Sequence, residues 1–278
     1  WASAQNLVVN PSFEQLKPNA IVVPCQFMQA SVFFGENIEP WTTFPGMTPD
    51  VLRAAENCPL VPTVHSGEYC LGIIHYLPSE DIGQQNGDYH EAVQGRLSAP
   101  LKPGRKYRVE VWVREDSAII LDHLAKVYTP QTPVAPVQAG NLGLAFSVLP
   151  QKNVRGGFWR LVQDGTLRPQ VNFADIIATN GAWVKLSATF VPDRPFQHFI
   201  IGNFFSDALT ANSLTAEQHR RIKQQNDATK VPIDRTKRAG YLCIDDISVT
   251  LEVEPDAPVL TMEKQLLQER RFMFSAGV

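Results

Sequence analysis

Between Arg235 and Glu254 the chain reads RTKRAGYLCIDDISVTLEVE, and this stretch constrains the fold more than any other. From Ile247 onward, apolar Ile247, Val249, Leu251 and Val253 alternate with Ser248, Thr250, Glu252 and Glu254. A period of two is that of a strand with one buried and one wet side. Tyr241 and Cys243 carry the rhythm upstream, while Ile244, Asp245 and Asp246 interrupt it. Two adjacent acids inside a strand are also a chemical signal, because paired carboxylates can do acid/base work. The chain from Pro255 reads as an exit, so this strand is expected to close a structure begun far upstream.

The same alternation recurs over 106–113, where Tyr107, Val109, Val111 and Val113 take one face and Arg108, Glu110 and Trp112 the other. A Lys-Pro-Gly turn signal precedes it. Further strands are predicted over 6–9, 69–74, 89–97, 141–149, 171–177, 183–191 and 199–205, with short ones at 21–23 and 32–34. Helices are predicted at 118–126 and, as a polar and surface-lying element, at 216–225. A single helical turn is expected near 48–52, and a loop or hairpin over 150–165. Strands punctuated by Gly and Pro, without long helical connections, predict an all-β fold, an antiparallel two-sheet β-sandwich with long loop insertions. With 278 residues, 44% of them hydrophobic, the chain can bury a sizeable core. The expected division is a sandwich domain over 5–254 and a C-terminal extension over 255–278 that links to a further domain.

Several function classes recede at this level. A net charge of -3 implies no partner, and no basic face with interleaved aromatics suggests nucleic acid. No run approaches the roughly 18 apolar residues of a transmembrane segment. The six histidines show no tight metal-ligand spacing, and HExxH, GxSxG and Gly-rich phosphate motifs are missing, so the chain is not read as an enzyme. Ala2-Ser3-Ala4 before Gln5 fits the residue pattern left by export processing, with an ordinary unstructured start as the alternative. Cys25 and Cys58 lie in loops beside Pro24 and Pro59, where a disulfide would staple chain that has little regular structure. Cys70 and Cys243 sit in strands, as buried thiols or as a second bond.

Two segments carry a more specific signal: Asn6-Leu7-Val8-Val9-Asn10-Pro11-Ser12-Phe13-Glu14, and Tyr241-Leu242-Cys243-Ile244-Asp245-Asp246-Ile247-Ser248-Val249. Together with Thr48-Pro49-Asp50, Ser66-Gly67-Glu68-Tyr69, Tyr89 to Gln94 and Leu101 to Tyr107, they resemble the signatures of galactose-binding-like jelly rolls, which include carbohydrate-binding modules. The version they are most similar to occurs in exported Bacteroidetes cell-surface proteins, often joined to an OmpA-like domain. This resemblance spans about 6–254 and implies a jelly roll in a secreted or extracytoplasmic setting, periplasmic or outer-membrane associated. It also implies peptidoglycan association through a neighbouring domain. It further implies a structural Ca²⁺ held by Glu14, Asp245 and Asp246, because a hard cation gathers carboxylate oxygens. Pairing with arginine, capping of backbone amides and simple exposure are the alternatives for these acids.

The expected function is therefore non-catalytic recognition of a glycan or polysaccharide. The alternative is a protein-protein interaction or structural module of the bacterial cell envelope; a hydrolase with a loop-built site is a further reading. Sugar rings stack on aromatic platforms backed by amides and carboxylates. Trp41, Trp112, Trp159 and Tyr128 are the candidate aromatics, each with core packing as its competing role.

Overall fold

The computed structural model of the chain describes residues 5–20, 37–53, 64–83, 88–116, 118–119, 121, 124, 132–151, 157–231 and 234–252. Their elements, in chain order, begin with β1 (Thr42–Thr43), β2 (Asp50–Arg53), β3 (Tyr69–Tyr76), α1 (Ser79–Ile82), β4 (Ala92–Arg96) and β5 (Tyr107–Glu115). There follow β6 (Val134–Pro136), β7 (Leu142–Ser147), α2 (Gly157–Gln163), β8 (Val171–Phe173), β9 (Val184–Phe190) and β10 (His198–Asn203). A 3-10 turn (Asp207–Leu209), α3 (Ala216–Ala228) and β11 (Lys237–Leu251) complete the order. One antiparallel sheet runs β1-β4-β10-β7-β8 and the other β2-β3-β11-β5-β9, with β6 parallel to β11. The expected all-β two-sheet sandwich is thus the fold.

The main core lies between the sheets. Val109, Val111 and Val113 of β5 face Phe146, Phe199 and Ile201 of the other sheet's strands, each chosen by alternation along its strand. In β11 the interruption at Asp245-Asp246 has a structural meaning. Asp245 pairs with Trp112 and Ser248 with Glu110, so two β11 residues lie opposite Val111 alone. This is a β-bulge, and Asp246 takes a left-handed φ of 45° within it. The extra residue flips the parity, so Leu242 and Ile244 share the core with Ile247 and Val249. Tyr241 and Cys243, which the sequence pattern groups with Ile247, lie instead on the opposite side, in a second cluster with Leu52, Ile119 and Leu124.

Gly72 in β3 makes room for that second cluster. A Cβ there would lie 1.9 Å from the Tyr241 hydroxyl, which is buried and donates to Asp50 at 2.6 Å. On the other sheet, α2 covers part of the outer surface, with Phe158 and Leu161 packed against Phe44, Ala145 and Ile200.

Several local expectations change. Residues 157–163 are helical rather than a loop or hairpin, because Phe158, Leu161 and Val162 follow helical spacing onto an apolar sheet face. The turn expected near 48–52 is the edge strand β2, held by pairing to β3. The first strand, over 6–9, reduces to a bridge between Val8 and Leu97, with Leu7 donating to the Val249 carbonyl at 2.9 Å. The strands expected at 21–23 and 32–34, the disulfide between Cys25 and Cys58, Tyr128 and the extension over 255–278 all lie outside the described residues. Cys70 and Cys243 are buried free thiols. No helix among the described residues is long and apolar enough to cross a membrane.

Candidate functional site

The acids expected to hold calcium do something else. Glu14 accepts the backbone N–H groups of Glu68 and Tyr69 at 2.9 and 3.0 Å. Its carboxylate occupies the space a Cβ on Gly67 would need, and Gly67 also has a left-handed φ of 65°. Asp245 accepts the N–H groups of His65 and Ser66, while Asp246 takes the hydroxyls of Ser12 and Ser66 and the His65 ring at 2.5 Å. Among the described residues no group of three or more His, Cys, Asp or Glu can hold a metal ion. The Ca²⁺ expectation is therefore corrected: carboxylates that accept amide and hydroxyl donors act as clasps, here tying the 64–68 loop and the N-terminal segment to the β11 bulge.

The two clasp acids titrate in opposite directions. Burial, reinforced by the Asp246 charge, pushes Asp245 up to about 7 despite its amide donors. Burial also opposes ionisation of Asp246, but bonds from Ser12, His65 and Ser66 outweigh it and bring that group below the usual carboxylate range. For Asp245 the folded value exceeds the unfolded one, so its stabilising contribution is present below pH 3.8 and is lost as pH rises to about 7. Asp246 contributes above its ordinary value, and that contribution is lost as pH falls through the depressed one. Carboxyl-carbon NMR titration should give a midpoint near 7 for Asp245. Ordinary midpoints for both residues would rule out the buried clasp.

The candidate aromatics separate. Trp41 is fully buried, 4.9 Å from Phe13 and 5.5 Å from Phe199, and its indole N–H donates to the Asn10 carbonyl. Both its faces are occupied by protein. Trp112 is half-buried on the outer side of its sheet, with His65 stacked on it at 3.9 Å and Lys185 Nζ 6.0 Å from the ring. Trp159 stands on α2, 5.0 Å from the His90 ring, and donates to the Asp88 carbonyl at 2.5 Å.

That last bond leads to an opening. A cavity of about 420 Å³ is walled by the end of β3, by α1, by the 3-10 turn, by α3 and by the start of β11. Tyr76, Asp207, Thr210 and Arg238 form its buried parts, with Asp88, Glu80, Asn212 and His219 more exposed. A smaller groove of about 330 Å³ lies against the other sheet, lined by Thr42, Gln94, Arg96, Gln151 and His198 together with Pro40 and Pro150.

The larger cavity is rigid by construction. Asp81, fully buried, receives the Arg238 backbone N–H at 3.0 Å and its Nε at 2.8 Å, and Arg238 also bonds Glu80. A buried charge persists only when so paired. Thr215 and Gln218 cap α3 reciprocally, and buried Asn226 ties the helix to Asp81 at 2.8 Å. Arg238 Nη1 donates to His219 Nδ1 at 3.0 Å, which fixes the proton on Nε2, and Nε2 donates to Asn212 at 2.8 Å. Asn212 in turn reaches the Tyr76 hydroxyl at 3.4 Å. Burial and the Arg238 charge both lower the His219 value. Asp207 bonds His90 through one oxygen at 2.7 Å, and burial pushes its carboxyl up against the pull of His90.

These residues were not visible as a site in the sequence. Asp81 and Arg238 stand 157 positions apart. The one local signal was the capped polar helix among basic residues, read there as a solvated surface element.

No family model matches the chain, and no curated protein matches it. Among solved structures, the K1 cleaved adhesin domain of Lys-gingipain from Porphyromonas gingivalis W83 is 11% identical, the match covering 90% of this chain and 99% of that one at a TM-score of 0.41. The CBM22-1 xylan-binding domain of Paenibacillus barcinonensis Xyn10C is also 11% identical, covering 90% and 97% at 0.36. A putative sugar binding protein from Bacteroides thetaiotaomicron is 10% identical, covering 89% and 100% at 0.33. The chain is thus similar, at low identity, to carbohydrate-binding and adhesin domains.

Proposed function

We propose that this chain is a non-catalytic, extracytoplasmic recognition module that binds a glycan in the cavity between α1, α3 and the 3-10 turn. The observation that carries this reading is the set of convergent, mutually bonded polar side chains around a cavity of about 420 Å³. A sugar presents many hydroxyls, each able to donate and accept. A wall of carboxylates, amide, imidazole and phenol already held in place answers them without first losing side-chain entropy. In this reading affinity comes from hydrogen bonding in the cavity more than from stacking, since Trp41 has no free face and Trp159 acts from behind through Asp88.

A glycan array probed with the full chain tests the reading, followed by titration calorimetry of the strongest hit. Asn212→Ala removes a rim amide that bonds His219 and Tyr76, and it should weaken binding by about ten-fold, or about 1.4 kcal/mol. His219→Ala should act similarly. An array without hits, or unchanged affinity in both variants, would exclude this site.

A further inference from the structure

We infer that the free edge of β9 is the seam of a symmetric dimer, in which a second copy of this chain lays its own β9 antiparallel to the first. The starting point is a contrast between sheet edges. The other outermost strands, β1, β2 and β8, span two, four and three residues, and short edges give a foreign strand little to pair with. β9 spans seven, Val184–Phe190, and among the described residues it pairs with β5 alone. No Pro and no bulge interrupts it, although these are common guards of an open edge. Lys185 is its one charged residue, and the ammonium turns back to Glu110 of β5 at 3.2 Å. Leu186 and Ala188 pack against the main core yet stay partly exposed, whereas Val111 and Val109, opposite them on β5, are fully buried. The core thus runs out to the rim at β9, where a further strand would cover it.

The backbone sets the register and identifies the occupant. Glu252 donates to the Lys106 carbonyl at 2.9 Å, so the even-numbered residues of β5 turn their backbone groups toward β11 and the odd-numbered ones toward β9. Tyr107, Val109, Val111 and Val113 therefore bond Phe190, Ala188, Leu186 and Val184. Left pointing outward are the N–H and C=O groups of Lys185, Ser187 and Thr189, a set symmetric about Ser187. A second copy on a two-fold axis at Ser187 answers all of them: Ser187 meets its counterpart, Lys185 meets the other copy's Thr189, and each pair exchanges both bonds. The side chains agree with this register. Leu186 meets Ala188 and Val184 meets Phe190 on the core side, while each lysine lies opposite a threonine on the outer side, so no like charges face each other. A pairing centred on Leu186 would carry Thr189 past the end of the partner strand. One strand pair is a small interface, so the dimer is expected to be reversible, with a dissociation constant of about 1–100 μM.

Sedimentation velocity of the full chain across that concentration range should show a monomer giving way to a dimer. Ser187→Lys brings two ammonium groups together on the axis, and Ser187→Pro removes an outward N–H that β5 does not use; each should raise the dissociation constant at least about ten-fold. The lysine variant alters only an exposed side chain, so it remains informative if the proline one folds poorly. Ser187→Cys sets two thiols opposite each other at a Cα separation of about 5.5 Å, within reach of a disulfide, and should yield a covalent dimer with oxidised glutathione. Lys185→Cys should crosslink far less, because its thiol meets Thr189. A monomer at every concentration, a dimer that both Ser187 substitutions leave intact, or equal crosslinking from positions 185 and 187 would overturn the inference. So would slow hydrogen exchange at the Lys185, Ser187 and Thr189 amides of the monomer, since another segment of the same chain would then hold the edge.

Discussion

Arg238→Met is expected to destabilise the fold by about 3–5 kcal/mol, the range for removing one partner of a buried ion pair. Arg238 is 6% exposed at its side chain and Asp81 is fully buried. The substitution keeps most of the side-chain volume but leaves the Asp81 carboxylate with only the Asn226 amide and the residue-238 backbone N–H as donors. Urea denaturation should show a lower midpoint with little change in slope, since the surface exposed on unfolding is nearly the same. The double variant Arg238→Met, Asp81→Leu should recover most of the loss, because a buried pair replaced by apolar groups of similar size is often neutral. A single variant as stable as the parent would mean that this pair is not closed off from water. The double variant would also separate stability from binding, as it keeps a folded chain while removing the group that orients His219.

Trp41→Ala should cost a similar amount, about 3–5 kcal/mol, through the cavity it leaves in the main core. The ring stands edge-on to Phe199 and rests over Gly95, where a Cβ would come within 2.7 Å of it. Truncation also removes the indole N–H that the Asn10 carbonyl accepts at 3.0 Å, leaving it the longer bond from the Phe13 N–H at 3.3 Å. Thermal unfolding should fall by about 2–4 °C per kcal/mol for a domain of this size. Trp112→Ala, at a half-buried position, is expected to fall well short of this loss. Equal losses for the two would contradict the placement of Trp41 in the core and Trp112 at the surface.

The contrast between these tryptophans shows which parts of the molecule can be read from sequence. The strand around Val109 and Val111 was legible because burial on one side of a pleat imposes a period of two, and the period survives in the residues themselves. The interruption at Asp245 was visible too, but its meaning as a bulge depended on what lay opposite, and Val111 is far away in sequence. Trp41 and Trp112 cannot be told apart by composition or by local pattern. Burial of an aromatic is set by the sheet that arrives over it. The helix carrying Phe158 was missed because seven residues are too few for periodicity to outweigh the flanking loop signals. The cavity was the least legible part. Its buried lining is assembled from Tyr76, Asp207 and Arg238, whose association exists only after the sandwich has closed. Adjacent acids invited attention at 245–246, yet their oxygens are consumed by amides and hydroxyls. The acid at 207, solitary in sequence, is the one that lines the cavity and bonds the buried His90.

The position of β11 has a consequence for how the molecule is made. It is the latest strand in chain order among the described residues, yet it lies in the middle of its sheet, between β3 and β5. Neither neighbour can complete its hydrogen bonding until residues 237–251 have been synthesised, so for most of its emergence the nascent chain carries two open, apolar strand edges. Such edges are templates for mispairing. A chain translocated in extended form would avoid that exposure, whereas one released slowly into an aqueous compartment would depend on a holding chaperone until β11 slots between its partners. Truncation before residue 237 should therefore yield an aggregating product instead of a smaller sandwich.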